Sequence, residues 1–237
     1  MTASSASARY AVYYTPPPDS ALWSFGCRVI GHDSCDPAGT PPPSFPELAT
    51  VLSPAHQAEP ARYGFHATLR APFEMNPAYG VDDLLDLARD FARTRKPVPI
   101  GALQVTRLSG FVALVCTSAP QALAELAESC VRCFEPVRAP LSQTDRARRL
   151  SLPLTPRQRG HLDAWGYPYV LDEFTFHMTL TGRLGEATGK QALAALTALH
   201  APLSAPVTID AITVLEQTAR SSPFRVVGRF PFTATSG

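Results

Sequence analysis

The sequence predicts an α+β protein built from two duplicated βαββ-type lobes, with antiparallel sheets around a central cleft. The pentapeptide aromatic-His-x-Thr-Leu occurs twice, at 65–69 and 176–180, although the chain has only six histidines. After each copy come an amphipathic helix pattern and a pair of strand patterns, so the order of elements repeats as well. We therefore expect one bilobal domain over 1–237, with lobes at 9–137 and 161–237 joined by a basic connector at 138–160.

The first half opens with RYAVYYTP at 9–16, whose β-branched and aromatic residues are typical of a strand. A helix is predicted from an N-cap at Asp19 or Ser20 to a stop at Gly31. The proline-rich stretch 33–62 favours loop, with one short helix near 45–53. The remaining predicted elements are the first histidine strand at 63–70, a helix at 81–94, strands at 98–107 and 110–117, and a helix at 120–137.

The second half follows the connector and resumes the pattern with a helical stretch, PRQRGHLDAWGY. The second histidine strand is predicted at 173–182 and a helix at 189–200. The segments VTIDAITVLEQT and PFRVVGRFPF indicate a closing hairpin.

The spacing within the pentapeptide points to chemistry. Residues i and i+2 of a strand share a face, so His66 projects with Thr68, and His177 with Thr179. Paired lobes would present both histidines across one cleft. Histidine can hold either protonation state near neutral pH, so one imidazole can take a proton while the other gives one. The threonine hydroxyls can donate to phosphate oxygens, and we interpret these four residues as a catalytic set for phosphoryl chemistry that requires no metal.

Several segments carry a closer resemblance: YGFHATLRAPF, FEPVRAPLS, RARRLSLPLTPRQ, WGYPYV and FHMTLTGRL. With them the chain resembles the two-histidine (2H) phosphoesterase superfamily, whose LigT-like members include RNA 2′,3′-cyclic phosphodiesterases. It is most similar to the branch of phosphonate-metabolism proteins encoded beside carbon–phosphorus lyase genes. The resemblance implies a bilobal fold and cofactor-free, metal-independent opening of cyclic phosphodiesters, with 5-phosphoribosyl 1,2-cyclic phosphate as the suggested substrate.

A substrate with a second phosphate needs further positive charge, and arginine suits phosphate through its planar fork. Strand alternation would place Arg70 on the His66 face, and Arg183 would mirror it after Thr179. From the connector, the resemblance favours Arg138 and Arg149. The further candidates for contact with a sugar or base are aromatic: Tyr63, Tyr167 and Tyr169, together with a tyrosine from the first strand.

Composition narrows the alternatives. Hydrophobic residues make up 45% and charged residues 17%, with a net charge of +1. This balance does not favour long nucleic acid, and no apolar run suits a membrane span. The N-terminus lacks a secretory signal pattern, and the five cysteines are read as reduced thiols, so we expect a cytoplasmic protein.

Two other functions remain open from the sequence. One is an RNA-end enzyme that opens 2′,3′-cyclic phosphates or joins RNA ends, and the other is a non-catalytic sensor of a phosphorylated ligand. No G-x-x-x-x-G-K-[ST] or G-x-G-x-x-G pattern occurs, so neither a P-loop kinase nor a dinucleotide enzyme is expected. Oligomeric state is not predicted.

Overall fold

The computed structural model describes residues 8–234, and its strands and helices are named in chain order. The strands are β1 (Arg9–Tyr14), β2 (Ala67–Glu74), β3 (Val98–Gly101), β4 (Leu103–Leu108), β5 (Phe111–Cys116), β6 (His177–Thr179), β7 (Val207–Ile209), β8 (Ala211–Gln217) and β9 (Arg225–Pro231). The helices are α1 (Ala21–Ile30), α2 (Pro46–Ala49), α3 (Pro54–Tyr63), α4 (Val81–Arg93), α5 (Gln121–Cys133), α6 (Gln143–Leu150), α7 (Pro156–Trp165) and α8 (Glu186–His200). Across the described residues, no helix has the length and apolar character needed to cross a bilayer.

A seven-stranded sheet forms the centre of the molecule, in the order β4-β5-β6-β2-β1-β8-β9. Every pairing in it is antiparallel, and β3 and β7 form a separate antiparallel pair. The prediction of an α+β fold with antiparallel sheets is therefore confirmed. The two histidine strands, β2 and β6, are immediate neighbours near the middle of the large sheet.

The duplicated order of elements is present, but the strand pairs are exchanged between its two copies. The hairpin β4–β5 follows β2 and α4 in the chain, yet it pairs with β6, the second histidine strand. The hairpin β8–β9 follows β6 and α8, yet it joins β1 beside β2. Helices follow the same exchange, since α4 packs on β8 and β9 while α8 packs on β4 and β5. Residues 9–137 and 161–237 therefore share one sheet.

The core lies behind the histidine strands. Leu69, Met178 and Leu180 are almost completely buried, as are the apolar residues of β1 and β8. Alternation along each strand then leaves the histidines and threonines on the other face, which is only partly buried. The hydrophobic pattern thus fixes which face of the central strands carries polar groups.

Local signals explain most element boundaries. The α1 helix begins after Ser20, whose side chain accepts from the Trp23 amide, and ends at Gly31 in the left-handed conformation, as predicted. Several expectations were wrong in detail. The histidine strands expected at 63–70 and 173–182 are Ala67–Glu74 and His177–Thr179, so His66 directly precedes β2. The α3 helix occupies part of the proline-rich stretch expected to be loop, and the strand expected at 98–107 is divided at Gly101 into β3 and β4. The predicted connector contains α6.

Candidate active site

The duplicated motif places both histidines in one cleft. β2 and β6 are paired antiparallel through Ala67 and Met178, so His66, directly before β2, and His177, on β6, lie on neighbouring segments of the chain. The cleft has a volume of about 330 Å³, and its lining includes both imidazoles together with Thr68 and Thr179. The four residues singled out from the sequence are thus brought together.

The imidazole of His66 is held in one tautomer. Its Nδ1 lies 2.8 Å from the Gly64 carbonyl oxygen, which can only accept, so Nδ1 carries the proton. Nε2 then accepts from the Thr68 hydroxyl at 3.2 Å. The ring stacks on Tyr13, with centroids 3.7 Å apart. Burial lowers the pKa of His66 from 6.5 to about 4, and the nearby His177 adds to this effect, so the ring is neutral at neutral pH.

Glycine is required just before His66. Gly64 ends α3 with φ +77°, in the region that favours glycine, and a Cβ there would lie 2.8 Å from the Ser34 hydroxyl oxygen. The next residue, Phe65, is fully buried against α1, where Gly26 leaves room for its ring. The Gly-Phe pair therefore fixes the chain entering β2 and aims the Gly64 carbonyl at His66.

His177 uses the same device. Its Nδ1 lies 2.9 Å from the carbonyl oxygen of Thr175. Thr175 stands two residues before His177, just as Gly64 stands two residues before His66. The proton again belongs on Nδ1 when the ring is neutral, and Nε2 is the nitrogen left to exchange a proton with a ligand. The ring is partly exposed and lies 5.9 Å from that of Phe111. The two copies of the motif thus present equivalent nitrogens.

One end of the cleft is basic and aromatic. Its lining includes Arg149, Tyr63 and Tyr167, which were predicted as phosphate- or sugar-binding residues, together with Arg9 and Tyr13. Arg9 was missed, although a signal existed. Positions 9, 11 and 13 share one face of a strand, so a cleft-facing Tyr13 implies a cleft-facing Arg9.

The expectation that Arg70 shares the His66 face was wrong. The register of β2 against β1 shifts on both sides of the pair formed by Arg70 and Val12, so the alternation that starts at Thr68 is broken. Arg70 is only 2% exposed, and its Nη2 forms an ion pair with Glu135 at 2.5 Å. It is absent from the cleft lining and borders a small cavity behind it.

The other three residues predicted to bind substrate, Arg138, Arg183 and Tyr169, lie in three different places. Arg138 also borders that small cavity rather than the cleft, and pairs with Glu135 at 2.5 Å. Arg183 is exposed at the cleft, with its guanidinium 3.1 Å from the Ser109 carbonyl oxygen. Tyr169 lines a second chamber. Contact of these three with substrate stays a prediction.

The second chamber adjoins the cleft on the side of His177 and has a volume of about 320 Å³. Phe111, Phe174 and Tyr169 give it aromatic walls. Leu171 at its edge has φ +55°, which is unusual for a branched residue and belongs to the short 3-10 helix Leu171–Glu173 before β6. The volume and the aromatic walls of this chamber can accommodate an apolar or aromatic group.

The thiols show no sign of a second chemistry. All five cysteines are free, and burial raises the pKa of Cys116 and Cys35 to about 11. Such thiols are poor nucleophiles at neutral pH. Within residues 8–234, no three His, Cys, Asp or Glu side chains are grouped as metal ligands.

Comparison with solved structures finds distant likenesses. A crystal structure of a phosphoesterase is 14% identical with a TM-score of 0.45, over 95% of this chain and 98% of that one. Escherichia coli LigT complexed with 3′-AMP is also 14% identical, with a TM-score of 0.44 and the same coverage. Usb1 from Kluyveromyces marxianus is 11% identical, with a TM-score of 0.41 over 96% of this chain and 99% of that one.

Sequence comparison finds nearer relatives. A protein of Janthinobacterium sp. (strain Marseille) named ribose 1,5-bisphosphate phosphokinase PhnN is 33% identical over 229 residues, covering 94% of this chain and 51% of the relative. A protein of the same name from Laribacter hongkongensis (strain HLHK9) is 35% identical over 184 residues, covering 75% of this chain and 41% of the relative. The chain thus spans about half the length, or less, of these curated relatives. A family model described as "Protein of unknown function (DUF1045)" matches residues 68–225, about two thirds of the chain. The chain belongs to the DUF1045 family.

Proposed function

We propose that this protein is a metal-independent cyclic phosphodiesterase that opens a small sugar cyclic phosphate by two-histidine acid–base catalysis. The observation that carries the proposal is the equivalence of His66 and His177. Each donates Nδ1–H to a carbonyl two residues earlier, so in both rings Nε2 is the nitrogen that can exchange a proton with a ligand in the shared cleft. An acid and a base on two sides of one phosphate are what ring opening by water requires.

We assign the base to His66. Its burial favours the neutral ring, so Nε2 has a lone pair to accept a proton from water as the water oxygen attacks phosphorus. In the free protein the Thr68 hydroxyl donates to this nitrogen. A bound phosphate offers a better acceptor for that hydroxyl, so substrate binding would release Nε2 for the water.

The acid role then falls to His177. Its protonated Nε2 would give a proton to the ester oxygen as the bond from that oxygen to phosphorus breaks, which leaves a monoester and a free hydroxyl. Thr68 and Thr179, one on each histidine strand, would donate to the non-bridging oxygens, where negative charge grows in the transition state. After release of product, one proton returned from His66 to His177 through solvent restores the starting state.

For the substrate we propose 5-phosphoribosyl 1,2-cyclic phosphate, as the resemblance to phosphonate-metabolism proteins suggests. The names of the curated relatives concern a ribose with phosphates at C1 and C5, which is the skeleton obtained when this ring opens with cleavage at O2. The kinase step in those names is not assigned to this chain, because it spans about half of the relatives and contains no P-loop sequence.

Phosphorus-31 NMR in the presence of chelator tests the proposal. The signal of the strained five-membered ring should be replaced by that of a monoester, whose coupling to the sugar protons identifies the oxygen released. The control is His66→Gln protein at equal concentration. An unchanged spectrum over hours, from protein that is folded by circular dichroism, would remove this substrate.

A second candidate is an enzyme that opens 2′,3′-cyclic phosphates at RNA ends. The aromatic chamber beside His177 favours it, because Phe111, Phe174 and Tyr169 provide faces on which a nucleobase can stack. Nucleoside 2′,3′-cyclic phosphates in the same NMR assay separate the two candidates by their relative kcat/KM. Tyr169→Ala should impair the nucleoside substrate and spare the ribose substrate if the chamber binds bases.

A non-catalytic phosphate sensor on the same fold is the remaining alternative. It would bind the cyclic phosphates without opening either, and a sensor has no need of two free imidazole nitrogens. Turnover of any cyclic phosphate that depends on both histidines eliminates it.

A further inference from the structure

Two arginines in the cleft lack the partners that buried arginines usually have. Arg9 is 7% exposed, and its Nε donates to the neutral side-chain oxygen of Gln217 at 2.8 Å. Arg149 is partly buried, and its Nε lies out of contact with solvent and has no hydrogen-bond partner among residues 8–234. Neither guanidinium is ion-paired within that part of the chain. Buried cations are ordinarily paired, because the loss of water must be offset by an anion.

The carboxylates nearby are engaged with other arginines. Asp145 pairs with Arg148 at 3.0 Å and with Arg220 at 2.6 Å, and Glu74 also pairs with Arg220. Glu135, behind the cleft, pairs with Arg70 and Arg138. The small cavity behind Arg9 and Arg149 is also bordered by Arg70, which is 2% exposed and has Nε and Nη1 without partners in the described structure. Among the described residues these carboxylates form ion pairs with other arginines and none with Arg9 or Arg149, so the positive charge of these two is not balanced by a direct ion pair.

Tyrosine side chains complete this end. The Arg149 guanidinium lies 5.0 Å from the ring centroid of Tyr167, a favourable cation–π distance. Tyr63 also lines the cleft, and its ring centroid is 6.5 Å from that of His66. Burial lowers the pKa of Arg9 and of Arg149, and the neighbouring guanidinium groups of Arg220 and Arg148 act in the same direction. The basic end and the histidines are thus parts of one cleft whose volume, about 330 Å³, suits a small ligand.

We propose that Arg9 and Arg149, with Tyr63 and Tyr167, form a second anion subsite that binds a phosphate monoester carried by the same substrate. This inference rests on the proposed function, since it assumes that the reacting cyclic phosphate occupies the histidines. The subsite selects phosphorylated sugars over unphosphorylated ones. It distinguishes a doubly phosphorylated substrate from a nucleoside cyclic phosphate, which has no second phosphate to place there.

Calorimetric titration with ribose 5-phosphate, and with ribose as the uncharged probe, tests the subsite without requiring turnover. The wild-type protein should bind ribose 5-phosphate measurably and ribose much more weakly. Arg149→Gln should weaken binding of ribose 5-phosphate by roughly 10–100-fold, the usual range for loss of a hydrogen bond to a charged group. Arg146→Gln is the matched control, because Arg146 lies on the same helix, is exposed, and pairs with Asp163 outside the cleft.

Turnover gives the second readout. The ratio of kcat/KM for 5-phosphoribosyl 1,2-cyclic phosphate over ribose 1,2-cyclic phosphate should fall about tenfold or more in Arg149→Gln and stay unchanged in Arg146→Gln. Arg9→Lys tests the second arginine of the subsite in the same way. Lysine keeps a positive charge at this buried position, which limits the effect on folding. Equal binding of ribose and ribose 5-phosphate by the wild type, or equal effects of the Arg149 and Arg146 changes, would overturn the subsite. Failure of both cyclic phosphates to react while ribose 5-phosphate still binds through Arg149 would instead refute the proposed function and leave the subsite standing.

Discussion

The ring of Tyr13 stacks on the imidazole of His66, with centroids 3.7 Å apart and planes inclined by 18°. Tyr13 lies on β1, the strand paired with β2, and is the Cα partner of Thr68. Because it is 1% exposed, one face of the imidazole is shielded from water by a side chain that cannot move away easily. Tyr13 thus contributes to the burial that lowers the pKa of His66, although the two residues are more than fifty positions apart in the sequence.

The pH dependence of kcat/KM should reveal this shielding. The base must be neutral, and the folded protein lowers the pKa of His66 from 6.5 to about 4. Activity should therefore persist below pH 6.5 and be lost as pH falls through about 4, since kcat/KM reports groups of the free enzyme. Rates measured between pH 3.5 and 8, with circular dichroism at each pH as a check on folding, test this. A lower limb centred near 6.5 would contradict the assignment of His66 as the shielded base.

Removal of either imidazole should abolish most of the turnover. His66→Gln and His177→Gln should each lower kcat by roughly 10²–10⁴-fold, the usual contribution of general acid–base catalysis. His161→Gln is the control, since His161 lies on α7 and bonds to Asp172 away from the cleft. Thermal unfolding should show that all three variants are folded. If either cleft variant kept the activity of the His161 variant, the two-histidine mechanism would be wrong.

Gly64→Ala should both destabilise the protein and impair catalysis. The residue has φ +77°, and a Cβ would crowd the Ser34 hydroxyl, so a cost of about 1–3 kcal/mol in the free energy of unfolding is expected. Displacement of the Gly64 carbonyl should also release His66 Nδ1 and lower kcat. Gly160→Ala is the matched control.

Gly160 lies within α7 with nothing within 4 Å of its added Cβ. Alanine there should be neutral or stabilising by about 0.5–1 kcal/mol, because alanine favours helix. Urea unfolding of both variants makes the comparison, and equal effects on stability would refute the steric role of Gly64.

Acid should weaken the fold through His66. The unfolded chain binds a proton there near pH 6.5, whereas the folded protein does so only near pH 4. Between these values the unfolded state binds more protons, so the free energy of unfolding falls as pH falls, and the contribution is complete above pH 6.5.

His66→Gln should remove this component, making the dependence shallower by at most about 1.4 kcal/mol per pH unit. Urea titrations at several pH values from 4 to 7 measure the slope. His200, whose pKa burial also lowers, should leave part of the dependence in place in both proteins. Identical slopes in the variant and the wild type would show that His66 is not the group responsible.

Sequence patterns predicted elements well where local signals decide them. The helix α1 has a Ser20 N-cap and a Gly31 stop, and α4 has a single apolar face, so both were located nearly to their ends. The α3 helix was missed because prolines suggested loop. Pro54 stands at its first position, where proline is tolerated, and His56 helps to cap it, but Pro60 lies in its interior against the usual preference.

The candidate site shows the same division. The i, i+2 rule predicted that His66 projects with Thr68 and His177 with Thr179, and the duplication predicted that the two pairs share one cleft. The rule failed for Arg70, because β2 has a register shift against β1 at this point. Such a shift depends on strand pairing and cannot be recognised from the residue types alone. The exchange of hairpins was likewise invisible, since strand patterns do not specify which partner a strand takes.

That exchange has a consequence during synthesis. β1 is flanked by β2 and β8, so the strand that carries Arg9 and Tyr13 can complete its pairing only after Gln217 has emerged from the ribosome. Pairings between such distant segments form slowly, because the entropy cost of closing a long loop comes before the contacts that offset it. Until then the edge of β1 that faces β8 stays unpaired in the nascent chain, and an unpaired strand edge is prone to aggregation.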